Sequence, residues 1–275
     1  MSRLRSSELF IIGYFIYVAF VALFLLDVSW PAWIFALCVA SLIWGLSRTD
    51  SFLRDWLPLA YTLVAYREMD LFRFTAHDHS LERTWILWDR WALDQIHVRS
   101  AIEALGWPLP FYLELCYLLV YAVGVVALIA LLLNGRRAQV DRLLLAYLAG
   151  TLGTYALFPF FPSDPPRLLF PGADLPNVVT LPRQLNLWLV GTYGIHSSVF
   201  PSAHVSSALS AAWGLHATLP QRPWIGRSMA LYGISVAVAT VYGRYHYAAD
   251  AVAGIVMSLA AILALRLHRR RPISN

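Results

Sequence analysis

The chain contains eight apolar segments, and most of them have about enough residues to cross a lipid bilayer as a helix. A helix needs about 20 apolar residues to cross the hydrocarbon core. In lipid, every backbone polar group must be satisfied within the protein, which favours helices. We therefore predict an all-α fold, a polytopic transmembrane helix bundle of about eight spans within one integral membrane domain, 1–275. The predicted spans are 9–26, 30–46, 52–66, 111–133, 143–161, 202–219, 228–243 and 247–267.

Composition agrees with a membrane protein and limits its partners. The 275 residues are 59% hydrophobic and 13% charged, with a mean hydropathy of +0.59. A soluble domain carries about twice that share of charge. The net charge is +5, and all 21 basic residues are arginines, mostly in short loops between the apolar segments. That placement is typical of membrane orientation, so nucleic acid is not expected as a partner.

The arginines also predict which way the chain crosses. If all eight segments cross, one side receives thirteen of the 21 arginines but only four of the 16 acidic residues. The positive-inside rule makes that side cytoplasmic. We therefore predict two cytoplasmic termini, with a basic tail at 268–275, in the inner membrane of a bacterium. Segment 52–66 is the weakest span because it is short and contains Pro58. If it did not cross, the N-terminal half would invert.

Two other features receive plain interpretations. Segment 9–26 is interpreted as a retained span, because it is long and Asp27 follows it without a small-residue cleavage pattern. Cys38 and Cys116 each lie inside an apolar run and form no metal-binding spacing. We interpret both as small buried hydrophobic residues, with neither a disulfide nor a metal role.

The first long hydrophilic stretch, 67–110, lies on the non-cytoplasmic side in this topology. Within it, 81–105 is amphipathic and carries Trp85, Trp88 and Trp91. Tryptophan favours the membrane–water boundary, so the prediction is an interfacial helix lying on the outer leaflet.

A histidine pair precedes that helix. His77, Asp78 and His79 are consecutive and could begin a metal site or form a solvated turn that caps the next helix. The turn is favoured because the sequence shows no further ligand set nearby. No metal and no cofactor are therefore expected, and activity is expected to survive a chelator.

The second hydrophilic stretch, 162–200, is also on the outer side and leads directly into Pro201. It opens with Pro-Ser-Asp-Pro-Pro-Arg, a sequence rich in turn formers. A loop of this length with little periodicity is usually functional or disordered. We predict a lid or pocket wall, with His196 as a candidate pocket residue.

The first candidate reactive group follows this loop. Ser202 can cap the helix of the sixth segment, and the amides of its first turn then lack internal partners and form an anion site. His204 lies in the same turn, within reach of a phosphate held there. A capped helix with an incidental histidine explains this motif equally well.

A second histidine strengthens the functional interpretation. His246 and Asp250 are one helical turn apart at the start of the last span. A carboxylate bonded to one ring nitrogen leaves the other free as a nucleophile or base. Two histidines from different helices suit in-line displacement at phosphorus, in which one attacks and the other protonates the leaving oxygen. Arg167 and Arg244 lie on the same side and can supply the cations that phosphoryl transfer requires.

These motifs resemble those of the type 2 phosphatidic acid phosphatase superfamily. Three motifs carry the resemblance, Pro-Pro-Arg at 165–167, Pro-Ser-Ala-His at 201–204 and Tyr-x-x-x-His-Tyr-x-x-Asp-x-x-x-Gly at 242–254. It covers roughly 110 to 265 and implies a six-helix catalytic core, which we place at 111–267, behind N-terminal spans and the outer helix at 1–110. The Arg-Asp-Trp-Leu-Pro-Leu sequence at 54–59 resembles the branch that contains the inositol phosphorylceramide synthases.

The resemblance implies a role for each matching residue. His246 would be the nucleophile that forms a phosphohistidine, Asp250 would orient it, and His204 would be the general acid. Arg167, Ser202 and neighbouring amides would bind phosphate, without a metal. Arg244 matches no family position and is a weaker candidate for the same role.

Two departures from the phosphatase pattern affect the predicted reaction. Phe160 and Thr240 stand where the superfamily's phosphatases typically carry a lysine and an arginine. The synthase branch is similar in lacking that arginine, which favours a phosphotransferase acting on membrane lipids, with a polyol or another alcohol as acceptor. A lipid phosphate phosphatase that uses water is the alternative, and a transporter or non-catalytic membrane protein is a remote one. The sequence does not indicate an oligomeric state.

Overall fold

The structure, a computed structural model, describes residues 4–73, 77–172 and 174–270, with side chains up to residue 266. Helices account for 77% of the structure, and the described residues contain no strand, which confirms the predicted all-α class. In chain order its α-helices are α1 (Ser6–Leu25), α2 (Trp30–Leu46), α3 (Phe52–Glu68), α4 (Ser80–Arg90), α5 (Val98–Glu103), α6 (Pro108–Leu119), α7 (Val123–Leu133), α8 (Val140–Tyr155), α9 (Pro166–Leu169), α10 (Leu181–Tyr193), α11 (Ala203–Thr218), α12 (Pro223–Tyr242) and α13 (Ala248–Arg270).

Length and hydropathy identify membrane-crossing helices among the described residues. Five stretches are long and apolar enough to cross: Ser6–Leu25, Pro108–Leu133, Arg137–Phe160, Pro223–Tyr242 and Ala248–Arg266. Each coincides with a predicted span, and together they confirm a helical membrane bundle. The remaining predicted spans correspond to α2, α3 and α11, which have 17, 17 and 16 residues. Their crossing stays a prediction.

Helix α3, the weakest predicted span, runs from one end of the bundle to the other. Near its start, Arg54 donates a hydrogen bond of 2.7 Å to Glu8 at the beginning of α1. At its other end, the Tyr66 hydroxyl accepts a hydrogen bond from the backbone N–H of Ile195. Ile195 belongs to the loop before α11, so α3 connects the two ends despite Pro58 in its middle.

One end of the bundle, which we call the arginine-rich end, is held by ion pairs. The buried Asp55 carboxylate accepts hydrogen bonds from Arg5 at 2.7 Å and from Arg137 at 2.6 Å. Asp141 accepts one from the backbone N–H of Ser7 at 2.8 Å. These contacts bring the N-terminus, the start of α3 and the α7–α8 connection together. All three stretches were predicted to share the cytoplasmic side.

Helix α11 lies at the centre of the bundle, packed against α8, α12 and α13. Its buried positions are mostly small residues, including Ser206, Ala208, Ser210 and Ala211. Small side chains allow membrane helices to approach closely, which is how their packing is usually achieved. The tightest approach is at Gly150 on α8, where an added Cβ would lie 2.0 Å from the Ser210 Oγ and 2.7 Å from its Cβ.

The prediction of one continuous interfacial helix at 81–105 is wrong. It consists of α4 and α5, separated by a π-helical turn at Trp91–Gln95 and by His97 with a φ of 64°. Trp88 and Trp91 are exposed, as an interfacial location requires, but Trp85 is buried. Its ring stacks on Phe200 with 5.0 Å between centroids, so α4 packs on the loop before α11.

The interpretation of the cysteines is half right. Cys116 is buried and Cys38 is exposed, because it lies on an outward face of α2. Neither forms a disulfide.

We predict that Gly150→Ala lowers the thermal midpoint of unfolding, because the new methyl group forces α8 and α11 apart. Overpacking of this kind costs about 1–3 kcal/mol. Gly153→Ala is the matched control, since its Cβ would meet nothing closer than 3.8 Å on the same helix. Thermal unfolding of both purified variants measures the difference. Equal midpoints would contradict the close α8–α11 approach.

Candidate active site

The two predicted catalytic histidines meet at the end of the bundle opposite the arginine-rich end, which we call the site end. His204 lies in the first turn of α11, and His246 lies in the turn between α12 and α13. Their ring centroids are 5.6 Å apart, with an interplanar angle of 82°. His246 is 6% exposed, whereas His204 is half-buried. The rings are thus close enough to flank one phosphoryl group.

Asp250 orients His246 in the geometry that the sequence predicts. Its Oδ2 lies 3.1 Å from His246 Nδ1 and also accepts a hydrogen bond of 3.0 Å from the backbone N–H of Tyr247. When Nδ1 donates to this carboxylate, Nε2 carries a lone pair and can attack. Burial lowers the pKa of His246, and the nearby Arg167 cation acts in the same direction. Both effects favour the neutral, nucleophilic imidazole.

Arg167 brings positive charge to the two histidines. It lies in the short helix α9, where Pro165 and Pro166 set the backbone. Its backbone N–H donates to the Arg244 carbonyl at 3.1 Å, which joins the first motif to the third. Its side chain lines the same small cavity as His204 and His246. This location fits the predicted phosphate contact, which stays a prediction.

Ser202 occupies the predicted N-cap position, but it does not cap the helix with its side chain. The buried Ser202 hydroxyl has no hydrogen-bond partner among the described residues. Its backbone N–H donates to the Asp250 carbonyl at 2.9 Å, so that amide is not available to a ligand. The predicted capping hydrogen bond is therefore wrong. The amides after Ser202 are left as the candidate anion site at this helix start.

Arg244 points to a different partner. It is 1% exposed, has a φ of 63°, and donates to the buried Asp89 of α4 at 2.8 Å. Burial raises the pKa of Asp89 to about 6, while Arg244 opposes that rise. The other Asp89 oxygen accepts from the Ala248 N–H at 2.9 Å, so Asp89 joins α4 to the start of α13. Arg244 is not among the residues that line the histidine cavity, and its predicted phosphate contact is untested.

Three tyrosines that sequence reasoning missed surround His204. The rings of Tyr117 and Tyr121 lie edge-on to it, with centroids 5.1 and 5.2 Å away. Tyr245 stacks on Tyr117 at 3.8 Å. The i, i+4 spacing of Tyr117 and Tyr121 is the signal that could have placed both on one face, although not opposite His204.

A buried polar cluster beneath these tyrosines was also missed. Glu114 on α6 accepts hydrogen bonds from Arg183 at 2.7 Å, from Asn186 at 2.8 Å and from the Tyr245 hydroxyl at 2.7 Å. Arg183 and Asn186 lie on α10, within the long loop region predicted as a lid or pocket wall. The cluster therefore fixes α10 over the histidines, and this part of the region is helical.

Two larger cavities adjoin the one between the histidines. One of about 390 Å³ reaches His204 and is lined mainly by apolar and tyrosine side chains, with the exposed Leu63 and Tyr193 among its lining residues. The other, of about 360 Å³, reaches Arg167 and has a mixed lining, in which the ionisable residues Asp164, Arg167, Arg183 and His196 lie among apolar ones. His196, the candidate pocket residue, lines this second cavity.

The residues at the two family departures line none of the three cavities, although the Thr240 carbonyl accepts a hydrogen bond of 3.0 Å from the His246 N–H. Phe160 is 50% exposed and lines none of these three cavities. Thr240 is fully buried in α12, where its hydroxyl donates to the Ala237 carbonyl at 2.8 Å. Neither residue supplies charge to the site.

The histidine pair before α4 has more possible ligands around it than the sequence suggested. His77, His79 and Asp164 each offer a ligand atom, and the three atoms lie within 4.8 Å of one another. The sequence did not reveal Asp164 as a possible ligand because it is distant along the chain, and the expected absence of a metal stays a prediction. The expected turn is present, with Asp78 paired to Arg83 at 2.9 Å, but His77 is largely buried rather than solvated.

The fold and the site together define a class of helical membrane proteins in which two histidines and an arginine are arranged as phosphoryl transfer requires. A family model described as the PAP2 superfamily matches residues 84–264, which is more than half of the chain. The chain belongs to the PAP2 superfamily, as the three motifs predicted. No curated protein matches the chain significantly, and no solved structure does. Membership supports a phosphatase or phosphotransferase function on lipid phosphates in general.

We predict that Asp89→Leu destabilises the protein by about 3–5 kcal/mol, because it leaves the buried Arg244 charge unpaired. The double variant Asp89→Leu/Arg244→Met removes both charges and is expected to recover most of the thermal midpoint. Unfolding curves of the two single variants and the double variant measure the coupling. If the double variant is no more stable than Asp89→Leu, the ion pair is not the cause.

Proposed function

We propose that this protein is a membrane phosphotransferase that acts on lipid phosphate or phospholipid headgroup esters through a phosphohistidine, in the manner of an inositol phosphorylceramide synthase. The observation that carries the proposal is the His246–Asp250 pair facing His204 across a cavity that Arg167 also lines. This arrangement of residues could pass the phosphoryl group either to an alcohol or to water. The preference for transfer over hydrolysis therefore rests on the neighbouring cavities, which can hold an alcohol acceptor.

In the proposed first step, His246 Nε2 attacks phosphorus and the bond from phosphorus to the leaving lipid oxygen breaks. His204 donates a proton to that oxygen, so a neutral alcohol leaves. In the second step, the acceptor hydroxyl attacks the phosphohistidine, the phosphorus–nitrogen bond breaks, and His204 takes the hydroxyl proton. Arg167 balances charge on the equatorial oxygens in both steps.

The two larger cavities support separate places for the lipid and the acceptor. The 390 Å³ cavity reaches His204, the proposed acid, with a largely apolar lining that suits lipid chains. The 360 Å³ cavity reaches Arg167, and the polar side chains in its mixed lining can hydrogen-bond a small hydroxylated acceptor. Both share residues with the small cavity between the histidines, through Tyr121 on one side and Val199 on the other.

We also propose that the site end faces the non-cytoplasmic side of a bacterial inner membrane. The arginine-rich end collects stretches that the positive-inside rule assigns to the cytoplasm. In that orientation both termini are cytoplasmic, and the outer leaflet supplies the lipid donor.

We predict that His246→Ala lowers turnover by at least about 10³-fold while the protein still folds, because no covalent intermediate can form. His216→Ala, near the other end of α11, is the matched control and keeps activity. With labelled lipid donor, wild-type protein should trap an acid-labile, base-stable phosphoryl adduct that His246→Ala lacks. Near-normal turnover of folded His246→Ala would rule out this mechanism.

His204→Ala tests the acid separately. We expect it to slow reaction of natural lipid esters by about 10²–10⁴-fold, the usual contribution of a positioned acid. Release of the aryl alcohol in the first turnover of aryl phosphates should be affected much less, since that leaving group needs no proton. Equal losses in the first turnover of both substrate types would show that His204 is not the acid.

The reaction product distinguishes transfer, which yields a phosphorylated acceptor, from hydrolysis, which releases free phosphate. We predict that the purified protein, incubated with a phospholipid panel and polyol or sphingoid alcohols, forms more phosphorylated acceptor than free phosphate. Phosphorus NMR and thin-layer chromatography measure both products. Release of phosphate alone, unchanged by any alcohol, would favour the phosphatase alternative.

A further inference from the structure

The cluster of His77, His79, Glu82 and Asp164 lies outside the phosphoryl-transfer chemistry and has no assigned role. His77 and His79 come from the segment before α4, Glu82 from the first turn of α4, and Asp164 from the loop before α9. The two histidines precede residues 84–264, the part that matches the family.

The donor atoms lie close together in two overlapping groups, one around Glu82 and one that includes Asp164. Glu82 Oε1 lies 2.9 Å from His77 Nε2 and 3.3 Å from His79 Nδ1. The ligand atoms of His77, His79 and Asp164 lie within 4.8 Å of one another. Ligand atoms about 2.0–2.2 Å from a tetrahedral Zn²⁺ lie about 3.4 Å apart, so small side-chain shifts bring these donors to coordination distance.

The negative charges of the two carboxylates in the cluster also favour a bound cation. Glu82 is 1% exposed, and the ion pairs found for it among the described residues are with the two histidines alone. No ion pair involving Asp164 occurs within the described ranges. An imidazole binds a metal in its neutral form, so with the two carboxylates the ligands would carry a net charge of about −2, which a divalent cation neutralises.

We propose that His77, His79 and Asp164, with Glu82 beside them, bind a structural Zn²⁺ ion that joins the segment before α4 to the loop that leads to Arg167. Two imidazoles with carboxylate oxygens form a donor set that Zn²⁺ accepts. Asp164 is three residues before Arg167, and its backbone N–H donates to Glu82 Oε1 at 3.2 Å. The ion would therefore hold the Arg167 loop against α4. It lies outside the proposed phosphoryl-transfer steps, and the proposal stands independently of the function proposed above.

The first test measures metal in the full-length protein. Protein purified in detergent, loaded with Zn²⁺ and desalted, should retain about one Zn²⁺ per chain by mass spectrometry, as a closed structural site does. His77→Asn/His79→Asn should retain less than about a tenth of that, because two of the ligands are gone. His97→Asn is the matched control, an exposed histidine on the same outer segment where asparagine tolerates the positive φ of 64°.

The second test uses the wild-type chain and does not depend on the folding of a variant. A chelator should lower the thermal midpoint, and Zn²⁺ at a hundredfold excess over its Kd should raise it again by about 5–10 °C. Mg²⁺ should not substitute, because it disfavours imidazole ligands. Wild-type protein that retains no Zn²⁺, or a midpoint that neither chelator nor Zn²⁺ shifts, would overturn the proposal. So would Zn²⁺ that the double variant retains in full.

Discussion

Asp250 holds the site together, because it joins two separate parts of the chain. Its carboxylate accepts hydrogen bonds from His246 and from the Tyr247 N–H, and its carbonyl accepts one from the Ser202 N–H. The turn that carries His246 and the start of α11 are thereby tied to each other. One turn later, Gly254 permits the contact, since a Cβ there would lie 2.5 Å from the Ser202 carbonyl oxygen.

Two buried ion pairs join the helices around Asp250 to one another. Arg244 and Asp89 join the third motif to α4, while Glu114 and Arg183 join α6 to α10. Burying such charges is costly, and the cost is offset only when partners and hydrogen bonds are in place. These side chains therefore position the cavity walls. Arg167 lines both the histidine cavity and the 360 Å³ cavity, so it brings positive charge to both.

Sequence reasoning succeeded where local patterns determine structure, and failed where a side chain has a choice of partners. The spacing of His246 and Asp250 predicted a one-turn contact, which the structure contains. Ser202 was predicted to cap its helix, yet its N–H bonds a residue 48 positions away. Arg244 was a weaker candidate for phosphate, which stays a prediction, and its partner Asp89, 155 positions earlier, was not foreseen. Long-range partners of this kind leave no periodic signal in the sequence.

The sequence by itself determined the all-helical membrane class, the superfamily and the identity of the paired histidines. Apolar length, arginine placement and motif spacing are local properties, and helix geometry converts them directly into structure. Only the tertiary structure decided what surrounds those histidines. The tyrosines around His204, the two cavities and the His77–Asp164 cluster arise from packing between distant helices and loops. Contacts of that kind depend on how whole helix surfaces fit together, which no single segment encodes.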